Sequence, residues 1–282
     1  MRILLTGSSG FIGGAFARAW REKYTLFAPT HAELDLLDAA ATEAYLREHR
    51  VDTVIHAANA NNVTHPELEG RQLDCNLRMF CNLERCSRFY GKMLCFGSGA
   101  EYDMRHYLPK MREDRFGAHI PADPYGFSKY LISRLAERTD NVFVFRLFGV
   151  YGPGEEWRRR FLSNMIYQGM HAPQMRMDRN MLFDYLYIDD LISAVDGLLT
   201  RTPKQRHYNL CSGQTHSLYE LAVQIRDELA VDKQIMMNGT DWKPEYSGDN
   251  SRFVGEFGAL HITPMRESIQ RMIAYYRENG FR

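Results

Sequence analysis

The chain opens on an apolar run, Ile3-Leu4-Leu5, that passes directly into Thr6-Gly7-Ser8-Ser9-Gly10-Phe11-Ile12-Gly13. No other string constrains the fold as strongly. A strand that breaks into spaced glycines and then into a helix is the start of a βαβ unit whose turn lets backbone approach a phosphate. Side chains at such a turn would hold a pyrophosphate away from the N–H groups and from the positive end of the helix behind them. Gly7, Gly10 and Gly13 meet that requirement. Their spacing is G-x-x-G-x-x-G, not the G-x-G-x-x-G of the standard dinucleotide fingerprint. An ordinary glycine-rich strand–helix turn is the competing reading.

The alternation continues. Strand patterns at Arg2–Leu5, Thr25–Ala28, Asp52–His56, Lys92–Phe96 and Asn141–Leu147 are separated by helical patterns at Phe11–Arg21, Ala39–Glu48, Leu73–Tyr90 and Pro124–Arg138. Asp123 is placed to cap the last of these, and Pro124 suits its first turn. The pattern predicts an α/β fold, a Rossmann-like doubly wound parallel sheet over residues 1–153. After Tyr151-Gly152-Pro153-Gly154 the pattern loosens. Glu155–Met181 reads as helical and then irregular. A strand at Asp184–Ile188, a helix at Asp189–Thr200 and a strand at His207–Leu210 follow, then helices at Leu218–Leu229 and Pro264–Asn279. We read 184–212 as returning to the first domain, and 154–183 with 213–282 as a smaller C-terminal substrate-binding lobe.

Composition narrows the function classes. Thirty-five Lys and Arg balance 35 Asp and Glu, so no basic excess points to nucleic acid or to an acidic membrane surface. No apolar run is long enough to span a bilayer. The N-terminus enters a strand and a glycine loop where a signal peptide would carry its apolar region. A soluble cytoplasmic protein is the expectation. Cys75, Cys81, Cys86, Cys95 and Cys211 form no C-x-x-C pair. They read as reduced structural thiols, with no metal site.

A second string carries chemistry: Tyr125-Gly126-Phe127-Ser128-Lys129, at the mouth of a helix. Tyr125 and Lys129 are i and i+4 and share a helix face. An adjacent ammonium favours a phenolate and makes the tyrosine a usable acid or base near neutral pH. On its own the pair is also what a helical aromatic beside a solvated lysine would give. Ser98 follows a strand between Gly97 and Gly99. The carboxyl ends of strands in such sheets face the ligand crevice, where a hydroxyl can donate to a substrate oxygen. A carboxylate roughly 20 residues after the glycines holds the ribose hydroxyls of NAD in many such folds. Here that region reads Ala28-Pro29-Thr30-His31, with Glu33 beyond it. Neutral and basic groups at Ser8, Ser9, Thr30 and His31 tolerate a 2′-phosphate better, so NADP(H) is preferred and NAD(H) stays open.

With these strings in place, the chain resembles the extended short-chain dehydrogenase/reductase family of sugar-nucleotide epimerases, dehydratases and reductases. The likeness runs through Leu34-Asp35-Leu36-Leu37-Asp38, Val54-Ile55-His56-Ala57-Ala58, Asn76 to Leu83, Arg146 to Pro153 and Asp184 to Asp190. It implies a catalytic set of Ser98, Tyr125 and Lys129. It places Gly7, Ser9, Gly10, Phe11, Ile12, Gly13, Thr30, His31, Asp35, Leu36, Ala57, Ala58, Asn59, Asn76 and Phe148 along the cofactor, with Tyr125 and Lys129 reaching it too. Ser98, Gly99, Ala100, Gly149, Arg158 and Arg252 are the implied substrate contacts, the two arginines as diphosphate partners. A solvated helical face is the competing reading for the Arg158-Arg159-Arg160 run. The resemblance also implies a homodimer through the helices at Leu73–Tyr90 and Pro124–Arg138.

Departures narrow the activity. The 4,6-dehydratases carry an Asp-Glu pair just after the catalytic hydroxyl. Here Gly99-Ala100 fills those positions, and Glu101 comes one place late and is expected to point elsewhere. The Thr30–Asp38 stretch is similar to the GDP-fucose synthase branch, yet Ala100 stands at that branch's cysteine acid/base. Gly149 stands where many relatives carry a substrate-holding asparagine. The expected activity is NADP-dependent reduction of a nucleotide-activated 4-keto-6-deoxy sugar. The alternatives are an NAD-dependent sugar-nucleotide C4 epimerase and a noncatalytic dinucleotide-binding protein.

Overall fold

In the computed structural model, which describes residues 1–60, 70–239 and 245–281, the opening apolar run is β1 (Arg2–Thr6), buried from Ile3 onward. The chain continues through α1 (Phe11–Trp20), β2 (Thr25–Phe27), α2 (Ala39–His49), β3 (Thr53–His56), α3 (Gln72–Glu84), β4 (Lys92–Ser98), α4 (Pro124–Ala136) and β5 (Val142–Leu147). Next come β6 (Gly149–Tyr151), α5 (Phe161–His171), β7 (Met175–Met177), β8 (Leu182–Tyr187), α6 (Ile188–Leu199) and β9 (His207–Leu210). The last elements are β10 (Thr215–Ser217), α7 (Leu218–Leu229), β11 (Ile235–Met237), β12 (Glu245–Tyr246), α8 (Ser251–Phe257) and α9 (Met265–Asn279).

Six strands form one sheet in the order β2-β1-β3-β4-β5-β9, and every pairing from β2 to β5 is parallel. The fold is the α/β doubly wound type that the alternation predicts. Because β1 lies between β2 and β3, the strand order reverses there, and such a point opens a crevice at the carboxyl ends of the strands. Register sets Thr6 beside His56, and His56 beside Cys95. β3 and β5 are buried along their whole length, as a sheet covered on both faces requires. Leu4, Val54, Cys95 and Val144 from the strands share one core cluster with Leu46, Phe80, Leu83, Ile132 and Ala136 from α2, α3 and α4.

The helix expected over Leu73–Tyr90 stops at Glu84, and Ser87–Phe89 forms a 3-10 turn. The chain must turn here to enter β4. Cys86 N–H bonds to Leu83 O, three residues back, which tightens the last turn. Asn141 Nδ2 donates to the freed carbonyls of Ser87 and Tyr90 at 2.9 and 3.1 Å. Among the described residues no helix is long and apolar enough to cross a membrane.

Packing divides the chain into two units. The first holds residues 1–106, 112–147 and 195–209, and the second holds 107–111, 148–194 and 210–282. The sequence pattern places this boundary at 153 and returns 184–212 to the first domain. Residues 107–111, 148–153, 184–194 and 210–212 instead belong to the second unit, in which β6 pairs in parallel with β8, Gly149 beside Tyr185. β8 also pairs with β10 and β12, and β7 pairs with β11. Helix α7 runs over Leu218–Leu229, the bounds its periodicity predicts. Ser217 caps its start, and Ala230 ends it in the left-handed region at φ 55°.

Candidate active site

The glycine loop is built from the strand ends upward. Thr6 Oγ1 lies 2.9 Å from His56 Nδ1 and accepts from Ala58 N–H at 3.2 Å. These contacts tie the end of β1 to the chain leaving β3. Gly7 then takes φ +74°, and a Cβ on it would lie 2.6 Å from Ala58 N. Gly13, inside α1, lies against Gly7. Gly10 is different. Its φ is −83° and, among the described residues, a Cβ would meet only Gly7 O, at 3.4 Å. Among the described residues nothing demands glycine there, yet Gly10 is the N-cap of α1 and no side chain of theirs caps its N–H groups. Ser9 and Gly10 are exposed, and Phe11 and Ile12 half-buried. An uncapped helix start behind a backbone-only turn fits a pyrophosphate.

At the neighbouring edge β2 ends at Phe27, and Thr30 and His31 are exposed. Glu33 turns back on Thr30, accepting from its N–H at 2.7 Å and its hydroxyl at 2.9 Å. Those bonds hold the Glu33 carboxyl below its ordinary pKa. Asp35 accepts from Leu37 N–H at 2.9 Å. Leu36 is buried, and its carbonyl accepts from Asn82 Nδ2 at 2.8 Å. Ala57 and Ala58 are half-buried and Asn59 is exposed just past β3. Asn76 is 2% exposed, and its amide clasps Ala60, accepting from its N–H at 2.7 Å and donating to its carbonyl at 3.3 Å.

Ser98 is the last residue of β4, with Leu147 of β5 opposite it. Its Oγ accepts from Ala100 N–H at 3.1 Å, which leaves the hydroxyl proton free to donate. Asp123 caps α4 by accepting from Gly126 N–H at 2.7 Å, and Pro124 opens the helix, as the sequence predicts. A Cβ on Gly126 would lie 2.7 Å from Ala100 O, so the helix start packs on the turn that follows Ser98. Tyr125 is half-buried there. Lys129, one turn on, is 5% exposed, and its Nζ donates to Phe96 O at 3.0 Å. Burial, with Lys129 adding to it, lowers the His56 pKa to about 3. Burial also pushes the Cys95 thiol up to about 12, against the pull of Lys129. Both groups are therefore neutral at physiological pH.

Glu101, expected to point elsewhere than at a substrate, does so. It is fully buried, and its Oε1 accepts from Ser98 N–H at 2.9 Å. The signal was present as Ser98-x-x-Glu101, the capping-box pattern, which the turn at Gly99–Tyr102 completes.

The remaining candidates lie in the second unit. Phe148 is 9% exposed and packs at 5.3 Å from the Tyr246 ring. Gly149 is buried, and a Cβ on it would lie 2.4 Å from the Phe183 ring and 2.5 Å from Asp184 O. An aromatic ring thus fills the space that an asparagine would take. Arg158, Arg159 and Arg160 are all exposed, and Arg158 lies over Trp157 at 4.5 Å. Arg252 is half-buried in the first turn of α8. A surface depression of about 570 Å³ lined by Arg47, Arg50, Arg88 and Phe89 lies at the amino ends of β3 and β4, the sheet edge opposite Ser98.

Comparison with known proteins agrees with this architecture. GDP-6-deoxy-D-mannose reductase from Pseudomonas aeruginosa is 28% identical over 283 residues, which cover 93% of this chain and 90% of that protein. The crystal structure of a GDP-L-fucose synthetase from Naegleria fowleri bound to NADP superposes with a TM-score of 0.83 at 18% identity, covering 98% of this chain and 94% of that one. The Bordetella bronchiseptica enzyme WbmG in complex with NAD and UDP gives a TM-score of 0.84 at 20% identity, covering 100% and 95%. The profile of the NAD dependent epimerase/dehydratase family matches residues 3–211. The chain belongs to that family, an enzyme family of the extended short-chain dehydrogenase/reductase type.

Proposed function

We propose that this protein reduces a nucleotide-activated 4-keto-6-deoxy sugar and takes NADPH as its cofactor. One observation carries the reading. Lys129 is buried beneath the end of β4 with its Nζ on Phe96 O, so an ammonium stands one helical turn from Tyr125 and two residues along the strand from Ser98. A buried lysine in that place is what the proposed role of Tyr125 as proton donor calls for.

The residues that would hold the dinucleotide are Gly7 to Gly13 at its pyrophosphate, with Thr30, His31, Asp35 and Leu36 toward the adenosine. Ala57, Ala58, Asn59, Asn76 and Phe148 complete the list. When bound, the cofactor supplies hydride to a carbonyl carbon. Tyr125 gives its proton to the carbonyl oxygen. The Ser98 hydroxyl donates to that same oxygen and holds it near Tyr125. Lys129 stabilises the phenolate that remains and has further N–H bonds for a ribose hydroxyl. Gly99 and Ala100 leave room beside Ser98, while Gly149, Arg158 and Arg252 are the proposed contacts to the rest of the substrate. The NADP preference draws support from Glu33 and Asp35, whose carboxylates are engaged with Thr30 and Leu37.

The P. aeruginosa relative carries the name of a reductase of a GDP-linked 6-deoxy sugar, which supports the substrate class. We also propose a cytoplasmic homodimer through α3 and α4, where Leu77, Met79, Cys81 and Leu135 are only partly buried. Light scattering on the purified protein reads the dimer directly.

The experiment follows nicotinamide absorbance with NADPH and with NADH across a panel of nucleotide-linked 4-keto-6-deoxy sugars. Consumption of NADPH with one sugar supports the reductase. A protein that arrives loaded with NAD and shows no net consumption points to the C4 epimerase, and failure across the panel and across ordinary UDP-hexoses points to a noncatalytic binding protein. Tyr125→Phe removes nearly all turnover and leaves cofactor affinity close to wild type. Wild-type turnover in that variant would falsify the assignment.

A further inference from the structure

The carboxylate of Glu101 joins the two elements that carry the proposed catalytic set. Its Oε1 accepts from Ser98 N–H at 2.9 Å. Its Oε2 accepts from Ser133 Oγ and from Arg146 Nε, both at 2.6 Å. Ser133 lies on α4 one turn past Lys129 and two turns past Tyr125, so the three share a helix face. One side chain therefore bonds the strand end bearing Ser98 to the helix bearing Tyr125 and Lys129.

The surroundings fix the orientation of that carboxylate. Arg146 comes from β5 and is fully buried, as is Glu101. Its guanidinium lies over the Phe116 ring at 4.1 Å and 5.1 Å from the Tyr102 ring. Tyr102 OH in turn donates to Asn209 Oδ1 at 2.7 Å. The backbone is cleared for the carboxylate, because a Cβ on Gly97 would lie 2.3 Å from Glu101 Oε1. Stability alone does not call for this arrangement. A buried ion pair loses so much hydration that apolar residues of the same volume often serve as well or better. What apolar residues cannot do is bond Ser98 N–H and Ser133 Oγ at once.

We infer that Glu101, oriented by Arg146, is a positioning residue that sets Ser98 against Tyr125 and Lys129. The inference rests on the catalytic roles proposed above for those three residues. A displacement of about 1 Å among reacting groups is enough to slow chemistry on the order of 100-fold, so a carboxylate that holds strand to helix has a direct effect on rate.

The test uses the full chain with NADPH and the sugar nucleotide found in the panel. Glu101→Met alone leaves Arg146 buried without its counter-charge, so the main variant is the double change Glu101→Met with Arg146→Met, which removes both charges and the bonds to Ser98 and Ser133 and keeps the volume. We expect it to melt cooperatively and to bind NADPH with wild-type Kd. Its KM should stay within a few-fold of wild type, while kcat falls by about 10- to 100-fold. The deuterium isotope effect from labelled NADPH should rise as hydride transfer becomes slower. Wild-type kcat and isotope effect in the folded double variant would overturn the inference. If that variant does not fold, Ser133→Ala decides. It removes one bond to Glu101 without changing any charge, and kcat should fall about 3- to 10-fold with the same rise in isotope effect. Unchanged values there overturn the inference too. Ser98→Ala separates this idea from its foundation. If Ser98→Ala keeps wild-type turnover, or the wild-type chain turns over no sugar nucleotide, the proposed function fails and the positioning role fails with it. If Ser98→Ala is inactive and the Glu101 variants are not slowed, only the positioning role is wrong.

Discussion

A Cβ on Gly13 would lie 2.1 Å from the carbonyl oxygen of Gly7. The first turn of α1 therefore touches the loop above it backbone to backbone, and two of the three glycines are fixed by the protein's own packing. Gly10 is not. This separates two kinds of glycine requirement that the motif alone merges. Gly13→Ala should destabilise the fold by about 1–3 kcal/mol, the range for overpacking, and lower cofactor affinity as a consequence. Gly10→Ala should melt as wild type while NADPH affinity drops about tenfold or more, because its methyl group occupies space only a ligand needs. Thermal melts paired with fluorescence titration check both. Equal affinity in Gly10→Ala and wild type would mean that the pyrophosphate does not approach this turn.

Most of the first unit was legible because its signals are local. Apolar strands, a capped helix at Asp123-Pro124 and the glycine turn each depend on neighbours in sequence, and the strand–helix alternation then limits the topology. The second unit was less legible for a physical reason. β6, β10 and β12 are two or three residues long, too short for a period to show, and they exist because β8 offers them a pairing edge. Glu101 gave no sign of its partner for a similar reason. Its partner Arg146 lies 45 residues away, and no spacing rule links them, although the Ser98-x-x-Glu101 pattern was there to be read as a cap.

Gly149 and Phe183 give a second prediction. The ring occupies the place of any side chain at 149, and Asp184 O closes the space from the backbone. Gly149→Asn should cost about 1–3 kcal/mol of stability and should not tighten substrate binding. A urea unfolding curve measures the cost. An unaltered midpoint together with a lowered KM would show that the site accepts the asparagine and that Phe183 moves aside.

His56 should remain neutral throughout the usable pH range. Burial first, and then Lys129, lowers its pKa to about 3, while in the unfolded chain it takes up a proton near 6.5. Stability drawn from this group is complete above about 6.5 and is lost as pH falls toward 3, since the unfolded state binds the proton first. The imidazole resonances of His56 should stay flat in an NMR titration from pH 5 to 8. A midpoint inside that range would show that water or a counter-charge reaches the ring and that the Thr6–His56 contact is looser than 2.9 Å implies.

Glu155 carries the opposite dependence in the second unit. It is 3% exposed, and its Oε1 accepts from the N–H and the hydroxyl of Ser163, whose Oγ accepts in turn from Tyr276 OH at 2.9 Å. Burial raises its pKa to about 7, and the Ser163 bonds and Arg160 offset only part of that rise. In the unfolded chain it ionises near its ordinary value of 4.5. Below that pH both states hold the proton and there is no difference between them. Between 4.5 and 7 the unfolded state gives up its proton first, so folding stability falls as pH rises, by about 3 kcal/mol in total, and is level above 7. Glu155→Gln removes the proton and keeps the shape. The unfolding free energy of wild type minus that of Glu155→Gln should therefore decline steadily from pH 4.5 to 7.5. A difference that is constant across that window would show Glu155 to be an ordinary ionised carboxylate, with its charge matched in the folded state by Arg160 and Ser163.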